Sequence, residues 1–256
     1  IMKRNFLVIL ALLFLACNSS DTKPFEPQQQ DENNTSTPDF YYGADLSYVN
    51  EMVDCGATYF DENSTPKDAY KIFKESGANL VRVRLWNNPD WTNYSDFDDV
   101  KKTIQKSKSE GMEVLLDFHY SDTWADPQKQ FIPAAWASVV DDKVALGKLL
   151  YDYTYETLQS LAADNLLPKF VQVGNEINAM ILQKGEPVWP IDWDRNAYLI
   201  NKGIEAVRKI SSDLDADIGV MLHIAQPENA LWWFDEATNN GISDYDWIGL
   251  SYYPKW

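Results

Sequence analysis

Six short apolar runs rich in β-branched and aromatic residues recur along the chain, near 40–44, 80–86, 113–120, 169–174, 218–225 and 247–253. Helix-length segments separate them. Strand and helix in regular alternation require parallel strands joined by right-handed crossovers. The first expected helix takes Thr65 as its cap, Pro66 at its first position and Asp68 at its third, and closes at Ser76 and Gly77. Others are predicted over 97–110, stopped by Gly111, and over 144–163, 195–210 and 229–238. In the 195–210 segment Leu199, Ile200, Ile204, Val207 and Ile210 form one apolar stripe.

Two parallel architectures fit this pattern. A doubly wound nucleotide-binding sheet needs a glycine-rich turn after its first strand, and Gly43-Ala44-Asp45-Leu46-Ser47-Tyr48 is not one. A (β/α)8 TIM barrel places polar chemistry at the C-terminal ends of many strands. Here Asp45, the pair Arg82 and Arg84, the pair Asp117 and His119, Asn175 with Glu176, His223 with Gln226, and Ser251 with Tyr252 and Tyr253 stand at or near the six endings. The expected fold class is therefore α/β, a (β/α)8 TIM barrel of which about the first six βα units are legible. An eight-unit barrel implies a gene that continues for roughly two more units.

Residues 1–17 read as an export signal, with Lys3 and Arg4 before an apolar run from Phe6 to Leu15, too short for a stable membrane span. A small residue, Ala16, followed directly by Cys17 resembles a bacterial lipoprotein signal, which implies lipidation of Cys17 and attachment at the outer membrane or cell surface. Simple secretion is the alternative. Residues 18–39 are polar and form a flexible tether, leaving 40–256 as the partial catalytic barrel. With Cys17 lipidated, Cys55 has no disulfide partner and is expected to be a small buried hydrophobe.

A formal charge of −17 argues against nucleic acid and against an anionic bilayer as partners, membrane contact being confined to the lipid anchor. Ten Trp and fourteen Tyr suit a neutral sugar, whose C–H faces pack on rings. Trp86, Trp91, Trp124 and Trp256 follow strand ends and are candidate stacking platforms, whereas core filling is expected of Trp136, Trp232 and Trp233. The histidines, His119 and His223, lack metal-ligand spacing and read as hydrogen-bonding pocket residues. No metal site and no cofactor are expected. Arg84 either neutralises buried Asp45 or Asp117, or holds a catalytic carboxylate ionised.

Glu176 is the candidate catalytic residue, since a half-buried carboxyl beside other acids can keep a proton for a sugar leaving group. The bland alternative is a helix-start acid satisfied by backbone N–H groups. Asn175 beside it is a turn residue or a sugar-hydroxyl contact.

Taken together, Gly43–Tyr48, Val81-Arg82-Val83-Arg84-Leu85-Trp86, Asp117-Phe118-His119-Tyr120-Ser121-Asp122-Thr123-Trp124-Ala125-Asp126-Pro127, Val173-Gly174-Asn175-Glu176-Ile177 and Gly249-Leu250-Ser251-Tyr252-Tyr253-Pro254 resemble the family 53 glycoside hydrolases, the arabinogalactan endo-β-1,4-galactanases. The likeness runs from about Tyr42 to the end. It implies retaining endo-hydrolysis of β-1,4-galactan by a monomer, with Glu176 as acid/base and Asn175 contacting the sugar next to the scissile bond. Arg84, His119 and Tyr253 are implied as pocket residues, and Trp86, Asp122 and Trp124 as subsite contacts. Asp45 and His223 join them as substrate-binding candidates. The family nucleophile is a second Glu ending a seventh strand, expected beyond Trp256, where a structural calcium known in some relatives would also lie. The alternatives are a non-catalytic galactan-binding lipoprotein and a related glycosidase acting on another β-linked glycan.

Overall fold

The structure, a computed structural model, describes residues 40–254. The signal, the tether, Cys17 and Trp256 therefore lie outside the described residues. Six strands, β1 (Gly43–Asp45), β2 (Leu80–Leu85), β3 (Glu113–Phe118), β4 (Phe170–Val173), β5 (Gly219–Ala225) and β6 (Trp247–Ser251), form one all-parallel sheet in sequential order. Between them run α1 (Val49–Asp54), α2 (Ala69–Glu75), α3 (Phe97–Ser109), α4 (Lys143–Ala163), α5 (Trp193–Leu214) and α6 (Ala230–Asn239). The fold is a partial (β/α)8 TIM barrel. No described helix is long and apolar enough to cross a membrane.

Register assigns each strand residue to one of two faces. Val81, Val83, Val114, Leu116, Phe118, Val171, Val173, Val220, Leu222 and Ile224 alternate along the strands and are buried under the helices. Leu199, Ile200, Ile204, Val207 and Ile210 of α5 meet that layer, as the apolar stripe requires. The opposite face points inward and carries Arg82, Arg84, Asp117, Gln172 and His223. At the bottom the sheet is rolled on itself: Tyr41, just before β1, sets its ring edge-on to Phe170 of β4 at 5.0 Å, and Phe170 meets Trp247 of β6 at 5.3 Å.

Aspartate caps start the crossover helices. Asp96 accepts from the Asp99 N–H, Asp142 from the Val144 and Ala145 N–H groups, and Asp192 from the Arg195 N–H. The same rule corrects the expected start of α2. Asp68, not Thr65, is its cap and accepts from the Tyr70 N–H at 2.9 Å, while Thr65 to Lys67 fold back on Asp61 in a turn. Cys55 is exposed because it terminates the surface helix α1, which the sequence reading missed.

Candidate active site

Because all strands run the same way, their C-terminal ends share one rim. Arg82 organises the floor beneath it. Nη1 reaches Asp45 Oδ2 at 2.5 Å and Nη2 reaches Asp117 Oδ2 at 2.6 Å. Nη2 also donates to Asn175 Oδ1 at 2.8 Å, and Nε donates to Gln172 Oε1 at 3.2 Å. Burial works against the Arg82 charge, but Asp117 and Asp45 outweigh it and hold the guanidinium above its ordinary value. Burial likewise opposes the charge on Asp117, which is fully enclosed; Arg82 and then His119 overcome it and keep the carboxyl below the usual carboxylate range.

This reassigns the pairing expected of Arg84. Two residues along the same strand face, Arg84 sits higher, where no acid reaches it among the described residues. Its guanidinium lies instead over the rings of Tyr48 at 3.9 Å, Trp86 at 4.7 Å and Trp124 at 5.2 Å. Nε is buried without a hydrogen-bond partner.

His119 links this floor to the rim. Nδ1 accepts from the Trp86 indole N–H at 3.2 Å and from the Ala125 N–H at 3.1 Å, so the ring proton belongs on Nε2. That nitrogen stands 3.0 Å from Asp117 Oδ2, close but off the N–H direction. Trp86 is 3% exposed, so it is a wall residue and not the stacking platform expected. The accessible indoles are Trp124, 39% exposed and edge-on to His119, and Trp91, which packs on Trp86. Trp136 and Trp233 are buried, but Trp232 lies half exposed against Trp189 on the surface. Asp122 spends both oxygens on backbone, accepting from the Asn88 and Ala134 N–H groups, and so fixes two rim loops. Tyr253 is 77% exposed, two residues past β6.

The turn after β4 carries the candidate acid. Gly174 has φ +86°, and a Cβ there would lie 2.5 Å from Ile177 Cγ2, so only glycine fits. Glu176 itself has φ +46°, a strained conformation for a side chain of its size. Several bonds hold it. Gln130 Nε2 donates to the Asn175 and Glu176 carbonyls at 2.8 and 3.3 Å, and the Ile177 N–H donates to the His223 carbonyl at 2.9 Å. Asn175 is buried, with Nδ2 donating to the Ala125 carbonyl at 2.8 Å and Oδ1 facing Arg82 and Gln172. The Glu176 side chain is half-buried at the rim and is not tied to backbone amides; Oε1 accepts from Ser251 Oγ at 2.5 Å. Its neighbour His223 is held down to a pKa of about 4, chiefly by burial, with Arg82 and His119 adding to the effect and Asp117 opposing it.

From sequence Arg82 stands on the strand face beside Arg84 without a site role, and Gln172 and Gln130 are not singled out. Gln172 left a signal, an amide in the middle of the apolar run Val171-Gln172-Val173. Gln130, within a loop, left none. Among the described residues no group of three His, Cys, Asp or Glu is arranged to hold a metal ion.

This arrangement, a rolled parallel sheet with an Asn-Glu turn after β4 and a buried Arg–Asp floor, is what the comparisons with known proteins speak to. The family model for glycosyl hydrolase family 53 matches residues 41–256. The chain belongs to this family. It is 53% identical to an arabinogalactan endo-β-1,4-galactanase of Cellvibrio japonicus, covering 100% of this chain and 65% of that protein. It is 38% identical to an endo-β-1,4-galactanase of Bacillus subtilis over 85% of this chain and 50% of that protein. The family 53 catalytic domain of Ignisphaera aggregans superposes with a TM-score of 0.75 at 34% identity, covering 86% of this chain and 61% of that one. The chain thus spans between half and two thirds of the length of these family 53 relatives.

Proposed function

We propose that the protein is an endo-β-1,4-galactanase that cleaves galactan with retention of anomeric configuration, Glu176 serving as the acid/base. One observation carries the reading: in a family 53 barrel, Glu176 follows β4 at this rim as a half-buried carboxyl with one oxygen held by Ser251 and the other, Oε2, without a hydrogen-bond partner among the described residues. Asp45 and Asp117 are consumed by Arg82 and cannot take that role.

Retention proceeds by double displacement and needs two carboxyls about 5–5.5 Å apart. Glu176 protonates the glycosidic oxygen as a second carboxylate attacks the anomeric carbon, then removes a proton from the water that releases the sugar. We assign that second carboxylate to the part of the relatives' length that this chain does not span. Arg84, buried and without an acid partner among the described residues, is the group placed to keep such a carboxylate ionised. Trp124 and Tyr253 supply exposed rings for the sugar faces, and His119, Trp86, Asp122 and Asn175 hold the walls on which those rings sit. The chemistry needs no cofactor. By the same proposal, lipidated Cys17 anchors a monomer at the bacterial cell surface.

The test is hydrolysis of β-1,4-galactan by the full-length gene product, with products resolved by thin-layer chromatography and their initial anomeric form read by NMR. Short β-galacto-oligosaccharides are expected. Turnover of mannan, xylan or cellulose in their place would move the protein to a different specificity, and galactan binding without turnover would make it a capture protein.

A further inference from the structure

Glu176, His223 and Ser251 come from three successive units of the barrel, after β4, within β5 and at the end of β6, and close a ring of hydrogen bonds. The Glu176 N–H points at His223 Nδ1 at 3.2 Å; Gln172 Nε2 lies equally near but gives its two hydrogens to Asp117 Oδ1 at 2.6 Å and the Gly174 carbonyl at 3.0 Å. A backbone N–H aimed at a ring nitrogen requires it to be the lone-pair acceptor, so the imidazole proton sits on Nε2. Asn175 Oδ1 is also 2.9 Å from Nδ1, but it takes its hydrogen bond from Arg82 Nη2 at 2.8 Å. Nε2 lies 3.1 Å from Ser251 Oγ. Its proton occupies an acceptor site of the serine oxygen, and the serine hydrogen is thereby turned onto Glu176 Oε1 at 2.5 Å. The ring runs from the Glu176 backbone through the imidazole and the hydroxyl to the Glu176 carboxyl.

We infer that His223 and Ser251 are positioning residues for proton transfer: they fix the Glu176 carboxyl in one orientation, keep Oε1 as the oxygen that does not exchange, and assign the transferred proton to Oε2. This rests on the acid/base reading of Glu176. In the first step the O–H bond at Oε2 breaks as one forms to the glycosidic oxygen; in the second Oε2 takes a proton from the attacking water. No proton travels through Ser251 or His223, whose hydrogens stay where the ring places them. Arg82 and Asp117 face the same ring from β2 and β3 and supply its fixed charges, and His119 of the loop after β3 packs beside them.

The experiment compares kcat/KM of the full-length gene product on galactan with kcat/KM on a dinitrophenyl β-galactobioside, whose leaving group departs without a proton. Ser251→Ala is expected to lose on the order of 10²-fold on galactan and little on the aryl glycoside, as a misaimed acid does. Ser251→Thr, which keeps the hydroxyl, should recover most of the loss. Equal losses on both substrates, or none on either, would overturn the inference. Glu176→Gln must show the same split: without it the acid reading itself fails, and with it a Ser251→Ala enzyme that shows no split defeats only the positioning role. Histidine-selective ¹⁵N NMR adds a readout independent of turnover, in which His223 carries its proton on Nε2 at neutral pH; a proton on Nδ1 contradicts the ring.

Discussion

Arg82 Nη2 stands 2.6 Å from Asp117 Oδ2, and the carboxyl it neutralises is completely buried. Removing the cation leaves an uncompensated charge in the barrel floor, so Arg82→Met is expected to destabilise the fold by about 3–5 kcal/mol. Arg82→Lys restores the charge but not the fork that reaches Asp45, Asp117, Gln172 and Asn175 together, and should recover only part of that loss. Urea denaturation of both variants measures the difference.

Gly174→Ala places a methyl 2.5 Å from Ile177 Cγ2 at a φ that disfavours any side chain. The turn must shift, and with it Glu176. About 1–3 kcal/mol of stability should be lost, and galactan turnover should fall by on the order of 10²-fold through misplacement of the acid. Wild-type turnover in this variant would show that the turn does not aim the carboxyl.

The two tryptophans flanking Arg84 should separate stability from binding. Trp86→Ala empties a buried wall and is expected to cost about 3–5 kcal/mol. Trp124→Ala, at an exposed indole, should change stability little and raise KM for galactan several-fold. Thermal melts beside initial-rate kinetics distinguish them, and a reversed pattern would exchange their roles.

Of this architecture, the strand–helix alternation and the faces of the strands were legible in the sequence, because periodicity of two and of 3.6 is local. Asp117 and His119 fall on one face by that count alone, and the structure places them 3.0 Å apart. The choice between Arg82 and Arg84 was not legible. Both occupy the same face, and which one meets Asp117 depends on stagger between strands: Arg84 pairs in register with Asp117, yet the Arg82 side chain climbs to reach it. Burial of Trp86 likewise depends on a loop that brings Trp91 over it. The Thr65 cap failed for a local reason, since Asp68 offered a better acceptor three residues later.

His223 gives a signed pH effect. Its pKa falls from 6.5 to about 4 on folding, so the unfolded chain binds a proton that the folded chain refuses between those values. Stability is fully present above pH 6.5 and is lost as pH falls toward 4, by up to about 3 kcal/mol from this group. Asp117 adds a separate loss below its ordinary range, because its folded pKa is lowered. Melting temperatures of wild type and His223→Gln should therefore converge as pH drops from 7 to 4. Parallel curves would contradict the neutral, buried imidazole.

The proposal that Glu176 is the acid/base is tested most directly by Glu176→Gln in the full-length gene product, with galactan as substrate. The amide cannot deliver a proton, and turnover should fall by on the order of 10²–10⁴-fold while the variant folds and still binds galactan. Galactan cleavage at the wild-type rate would contradict the account.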